Sequence, residues 1–150
     1  MKEAWRANTV RWYIEVGTKL HLPLEVSERA VHYLDRYLTV HSVDGPCFRL
    51  VAAAALLISA KADDQLAYID TRQLVRLTQN MFTAHDLVRM EGKMLQTLDF
   101  YINTPTATEA AAMFVDVLKH DPNTPTSALA ATPEFSESVR EAIELCLPRL

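Results

Sequence analysis

Glycine is nearly missing, with three residues in a chain of 150. That scarcity argues against a turn-rich β architecture and against Gly-rich phosphate loops. Cysteine is scarce as well: the two thiols, Cys47 and Cys146, lie far apart in sequence. Met1 is not followed by a basic, apolar and cleavable segment, so no signal peptide is expected. Isolated thiols without a secretory signal fit a reducing compartment, so the expected location is nuclear or cytoplasmic. Long apolar runs are lacking too. The longest, Leu50 to Ala60, contains Ser59 and stops at Lys61. It is too short to span a bilayer and reads as a buried core helix, so no membrane partner is expected. There is no excess of positive charge: 15 Lys and Arg face 19 Asp and Glu, a net charge of -4 with pI near 5.7. Nothing in that balance draws the chain to nucleic acid. None of the five histidines, His21, His32, His41, His85 and His120, forms a His-x-x-x-His pair or stands beside a cysteine at metal spacing. Neither a metal nor a cofactor is expected. Cys47 has no base partner in view and reads as a small residue at a helix start.

What is present is apolar periodicity. Apolar residues make up 49% of the chain, enough for a real core. Trp5, Val10, Trp12, Tyr13, Val16 and Leu20 recur at helical steps and predict a first helix over Glu3 to Leu20, stopped by Pro23. Val26, Ala30, Val31, Leu34 and Leu38 predict a second over Leu24 to His41. A turn from Ser42 to Pro46 follows, with Gly45 expected to serve as a left-handed cap. The third helix, Cys47 to Ala62, is apolar nearly all round. Ala52 to Ala55 are small enough to let neighbours pack closely, so it reads as the central post of a bundle, ended by Asp63-Asp64-Gln65. A fourth helix is expected from an Asp70 cap to Leu77. A fifth runs from Thr83, with Asp86 as its capping-box partner, to Leu98. A sixth covers Ala107 to His120 after Thr104-Pro105-Thr106. A loop from Asp121 to Thr132 precedes a seventh, from Pro133 to a stop at Pro148. The fold class is therefore all-α, with five helices around a central apolar one and two more that are too few for a core of their own.

Against this helical frame, several segments resemble the cyclin box. Trp5-Arg6-Ala7-Asn8-Thr9-Val10-Arg11-Trp12 stands where cyclins carry Met-Arg-Ala-Ile-Leu-Val-Asp-Trp, and Glu15-Val16-Gly17 continues the pattern. His32-Tyr33-Leu34-Asp35-Arg36-Tyr37-Leu38 is similar to the Asn-Tyr-Leu-Asp-Arg-Phe-Leu of the second cyclin helix. Leu50 to Ala54 through Ala60-Lys61 resembles the third helix, which ends Ala-Ser-Lys. Val88 to Glu91 with Leu95, Leu98, Asp99 and Phe100 resembles the fifth. The segments occur in order and at matching separations. The resemblance implies a cyclin box over residues 1–102. A linker and the start of a truncated or divergent second cyclin fold would then occupy 103–150.

The same resemblance implies a function. Cyclins are non-catalytic regulatory subunits that bind and activate a cyclin-dependent Ser/Thr kinase. The family signature falls on Arg6, Asp35, Leu50, Lys61 and Glu91. Arg6 and Asp35 are expected to pair across adjacent helices and Leu50 to sit in the core. Lys61 and Glu91 are expected to face the kinase and bond its backbone near its C-helix, helped by Ile58, Ala62, Phe100 and Ile102. Ala62 departs from the phenylalanine that cyclins carry beside the lysine. Asp63 and Asp64 replace two glutamates. A groove for Arg-x-Leu substrate peptides falls on Trp5, Asn8, Thr9, Trp12, Glu15, Phe48 and Arg49. Trp12 would supply a floor, or else a core residue. Glu15 would meet the arriving arginine, whereas Arg11 and Arg49 would repel it. General transcription factor and pocket-protein domains share the fold. The alternative is thus a cyclin-fold adaptor in transcription, or a peptide-docking scaffold that activates no kinase.

Overall fold

The computed structural model describes residues 3–63, 70–120 and 133–146. Among these the fold is all-helical, with no strand. Five helices belong to one compact unit, Met1–Thr104: α1 (Glu3–Leu20), α2 (Leu24–Val40), α3 (Gly45–Lys61), α4 (Thr71–Leu77) and α5 (Ala84–Thr97). Two more, α6 (Ala107–His120) and α7 (Pro133–Cys146), pack on each other in a second unit, Pro105–Leu150. The expected helices agree with these to within a residue or two at each end. Asp64, Gln65, the Asp121–Thr132 loop and Pro148 lie outside the described residues.

α3 is the centre of the first unit and packs chiefly on α2 and α5. Every residue from Val51 to Ala60 is buried. The polar one among them, Ser59, donates to the Val26 carbonyl of α2 at 2.7 Å. Tyr13 of α1 is fully buried and donates to the Ala52 carbonyl at 2.8 Å. Burial first, then the charge of Asp35, pushes the Tyr13 phenol well above its ordinary pKa and keeps it a donor. Arg6 and Asp35 join α1 to α2 side-on: Nε lies 3.0 and 3.1 Å from the two carboxylate oxygens and Nη2 lies 2.7 Å from one. The hydrogen bonds to Asp35 raise the Arg6 pKa and so hold the pair ionised.

Two expectations are corrected. Leu50 is half-buried rather than core, because the first turns of α3 still run along the edge, where Pro46 and Arg49 are exposed. Gly45 is not a left-handed cap but the first residue of α3, and none of the glycines has positive φ. The turn before it is extended at His41 and Asp44, so no left-handed residue is needed. Asp44 caps α3 instead, accepting the Cys47 N–H at 3.0 Å, with Pro46 tolerated in the first turn.

Left-handed backbone does occur, on residues other than glycine. His21, Gln79, Asn80, Asp99 and Phe100 have φ between 52 and 58°. They close α1, α4 and α5. The amides of Leu22, Asn80 and Phe100 reach back to the carbonyls of Gly17, Val75 and Leu95 at 2.8, 3.1 and 2.9 Å, the Schellman pattern. Each such residue costs about 1–2 kcal/mol relative to a right-handed one, so packing must hold it. Thr83 and Asp86 form the expected capping box of α5, and Thr106 and Glu109 form a similar exchange at the start of α6. Hydrogen bonds from the Thr83 side chain and then its backbone lower the Asp86 pKa.

Close packing on the α3 alanines yields the first prediction. Ala54 is fully buried. Ala54→Leu is expected to destabilise the chain by about 1–3 kcal/mol through overpacking, measured by urea unfolding. Ala4→Leu on the exposed part of α1 should change stability little.

Candidate functional site

Lys61 is the last residue of α3, and Glu91 lies inside α5. Because α3 packs on α5, the two meet: Nζ lies 2.7 and 3.0 Å from the carboxylate oxygens. The lysine side chain keeps 35% of its surface and the glutamate 12%, so the pair lies at the surface with the carboxylate partly sunk. A second pair anchors the chain just beyond α3. Arg29 of α2 donates to Asp63 at 2.7 Å, with side-chain exposures of 14% and 12%. Ala62 closes α3, its N–H bonded to the Ile58 carbonyl, and is half-buried. Ile58 is only 3% exposed. Its place is in the core beneath this surface, where it can support a partner contact but not present one.

The tail after α5 carries the other expected contacts. Phe100 is 67% exposed and the neighbouring Tyr101 61%, while Ile102 is half-buried. Two side chains of α2 hold this tail. The Tyr33 hydroxyl donates to the Ile102 carbonyl at 2.6 Å. The Arg36 guanidinium donates to the Tyr101 carbonyl at 2.7 Å and the Leu98 carbonyl at 3.3 Å, and lies 5.7 Å from the Tyr101 ring centre. Partial burial and the charge of Arg36 lower the pKa of the nearby His32. In the Tyr33-Leu34-Asp35-Arg36 run the expected polar contact fell on Asp35, and none on Tyr33 or Arg36. Tyr33 and Arg36 were visible in the same motif.

A third surface lies along α1, the start of α3 and the α4–α5 turn. It holds two depressions that share Asn8, Thr9, Arg49 and Met81. One, of about 480 Å³, adds Trp5 and Phe48, whose rings lie 5.7 Å apart and tilted by 50°. The other, of about 530 Å³, adds Trp12, Glu15 and Lys19. All seven residues expected in a peptide groove therefore line one depression or the other. Trp12 is half-buried at the edge of this surface and not a core residue. Met81 and Lys19 were not foreseen. Met81 comes after the left-handed pair Gln79-Asn80, and Arg49 Nη1 lies 3.0 Å from its sulfur. Nothing in the sequence spacing foretells that approach.

The description "Cyclin, N-terminal domain" applies to residues 1–103, where that family's profile matches. The chain belongs to the cyclin family. This cyclin is 35% identical to mouse Cyclin-A1 over 107 residues, which covers 71% of the chain and 25% of the relative. It is 31% identical to Cyclin-B1-2 of Arabidopsis thaliana over 122 residues, covering 81% and 27%. The chain thus spans about a quarter of the length of these relatives. A viral cyclin from herpesvirus saimiri has the same fold, with a TM-score of 0.80 at 22% identity, over 99% of this chain and 61% of that one. Among the described residues no group of three or more His, Cys, Asp or Glu could hold a metal ion, and no helix is long and apolar enough to cross a membrane.

The clamp on the tail is testable by proteolysis. Arg36→Ala removes the donors to the Tyr101 and Leu98 carbonyls. It is expected to cost about 1–2 kcal/mol and to raise the rate of chymotrypsin cleavage after Phe100 or Tyr101 well above wild type. Unchanged cleavage would show that the tail keeps its shape without Arg36.

Proposed function

We propose that this cyclin binds a cyclin-dependent Ser/Thr kinase and holds the kinase C-helix in its active position. We place that role in cell-cycle control, in the nucleus or the cytoplasm. On this reading the cyclin is a regulatory subunit, not a catalyst. Residues 1–102 are the kinase-binding box, and 103–150 are a linker and the start of a second cyclin fold. The division of the chain after Thr104 is consistent with that organisation.

The observation that carries the reading is the Lys61–Glu91 pair. A lysine and a glutamate 2.7 Å apart at the surface offer a cation with spare donors and a carboxylate with spare lone pairs, side by side. A partner backbone matches that arrangement, since its carbonyls accept from Lys61 while its amides donate to Glu91. Each charge stays satisfied throughout, so docking strands neither. Glu91 leads along α5 to the tail, where Phe100 and Tyr101 supply apolar area. A kinase C-helix carries the glutamate that must reach the ATP-site lysine. A subunit that binds only the helix-in form shifts the population toward it, and about 5.5 kcal/mol of differential affinity moves a kinase from mostly off to mostly on. The groove of α1 and α3 serves, on the same reading, to recruit substrate peptides to that kinase.

The test is assembly with a cyclin-dependent kinase and the histone-phosphorylating activity that results. Lys61→Ala with Glu91→Ala is expected to abolish assembly while the thermal midpoint shifts by only a few degrees. The exchange Lys61→Glu with Glu91→Lys preserves an internal ion pair but reverses its polarity. It should also lose the kinase, which a merely structural pair would not do. Full activation by either double variant would overturn the proposal.

A further inference from the structure

The geometry points to Arg49 as a specificity determinant that makes the α1–α3 groove take an extended peptide with an apolar side chain beside an acidic one, not a basic one. This rests on the proposal that the groove docks peptides, and names what it selects. Arg49 stands in the wall common to both depressions. In the one with the Trp5–Phe48 ring pair it is the single formally charged lining residue. Among the described residues it makes no ion pair, and its guanidinium donates to the Met81 sulfur, 3.0 Å from Nη1. A thioether is a weak acceptor, so it orients the guanidinium without neutralising it. The remaining donors of the fork stay available beside an aromatic floor.

The charges around it leave that cation dominant. Glu15 and Lys19 line the other depression and offset each other one turn apart on α1. The Asp44 carboxylate is near in sequence but is used at the start of α3, on the Cys47 N–H, and does not line either depression. The Thr9 hydroxyl is turned back onto the Trp5 carbonyl at 2.9 Å. An incoming arginine would meet Arg49 at short range, whereas a carboxylate can take a charge-assisted pair with the free face of the fork. The net charge of the whole chain, -4, favours a basic peptide at long range. A preference for acid must therefore come from the groove itself.

The experiment is fluorescence anisotropy on the full chain with two labelled peptides, Glu-Gly-Leu-Phe-Gly-Glu and Arg-Gly-Leu-Phe-Gly-Arg. The glutamate peptide is expected to bind about threefold to fivefold more tightly at low ionic strength, as a partly exposed ion pair allows. Salt should narrow the gap. Arg49→Glu should reverse the order, and Arg49→Gln should remove the preference for the glutamate peptide. Since Arg49 is exposed, both variants are expected to keep the wild-type circular dichroism. Met81→Leu keeps the apolar wall but frees the guanidinium, and should reduce the preference. Equal binding, tighter binding of the arginine peptide, no binding of either, or a glutamate preference that survives Arg49→Glu would each overturn the inference. Kinase assembly measured on the same samples separates the outcomes. Assembly without discrimination sinks only the assignment of Arg49, and discrimination without assembly sinks only the kinase reading.

Discussion

Close approach to α3 is the constraint from which the rest of this molecule follows. A run of alanines from Ala52 to Ala55 gives α3 no bulk in its middle, so α2 and α5 come in against its backbone. The contact is tight, and the buried hydroxyl of Ser59 on α3 has its partner in the Val26 carbonyl. Both outer surfaces are set by the same helix. Arg49 lies near its start and Lys61 is its last residue, about 18 Å apart at the rise of an α-helix. The approach of α5 to that last turn is what brings Glu91 to Lys61. The groove and the ion pair are thus two ends of one rigid element.

α2 is the fastener. Its side chains reach α1 through Asp35, the end of α3 through Arg29, and the tail after α5 through Tyr33 and Arg36. None of these contacts is a large source of stability, since the ion pairs are partly exposed and net hydrogen-bond energies are small. Their value is geometric. A bidentate guanidinium tolerates little sliding, so Arg6 and Asp35 set the register of α1 on α2. Arg29 does the same for the chain beyond Lys61.

How much of this could be read from the chain alone depended on the range of the cause. Helices were legible because a 3.6-residue period is local. So was the Thr83–Asp86 cap, whose partners are three residues apart. The meeting of Lys61 and Glu91 came from resemblance, not from periodicity, because nothing in a single helix says which face its neighbour covers. Burial at helix edges was the weak point: Leu50 and Ile58 differ by two turns on α3, yet the first is half-exposed and the second sealed. The α4–α5 turn was illegible for another reason. Without glycine as a marker, the left-handed pair Gln79-Asn80 gave no sign, and so neither did the position of Met81.

The tail after α5 has a property that its own sequence conceals. Asp99 and Phe100 stand consecutively in left-handed backbone, closed locally by the bond from the Phe100 amide to the Leu95 carbonyl, and Tyr33 and Arg36 on another helix fix where the residues beyond that turn go. Shape and identity are thereby partly uncoupled at this spot: the aromatic side chains belong to one segment, and some of the instructions for aiming them to a different one. A substitution in α2 can therefore re-aim the exposed aromatics of the tail, leaving every residue of the tail unaltered.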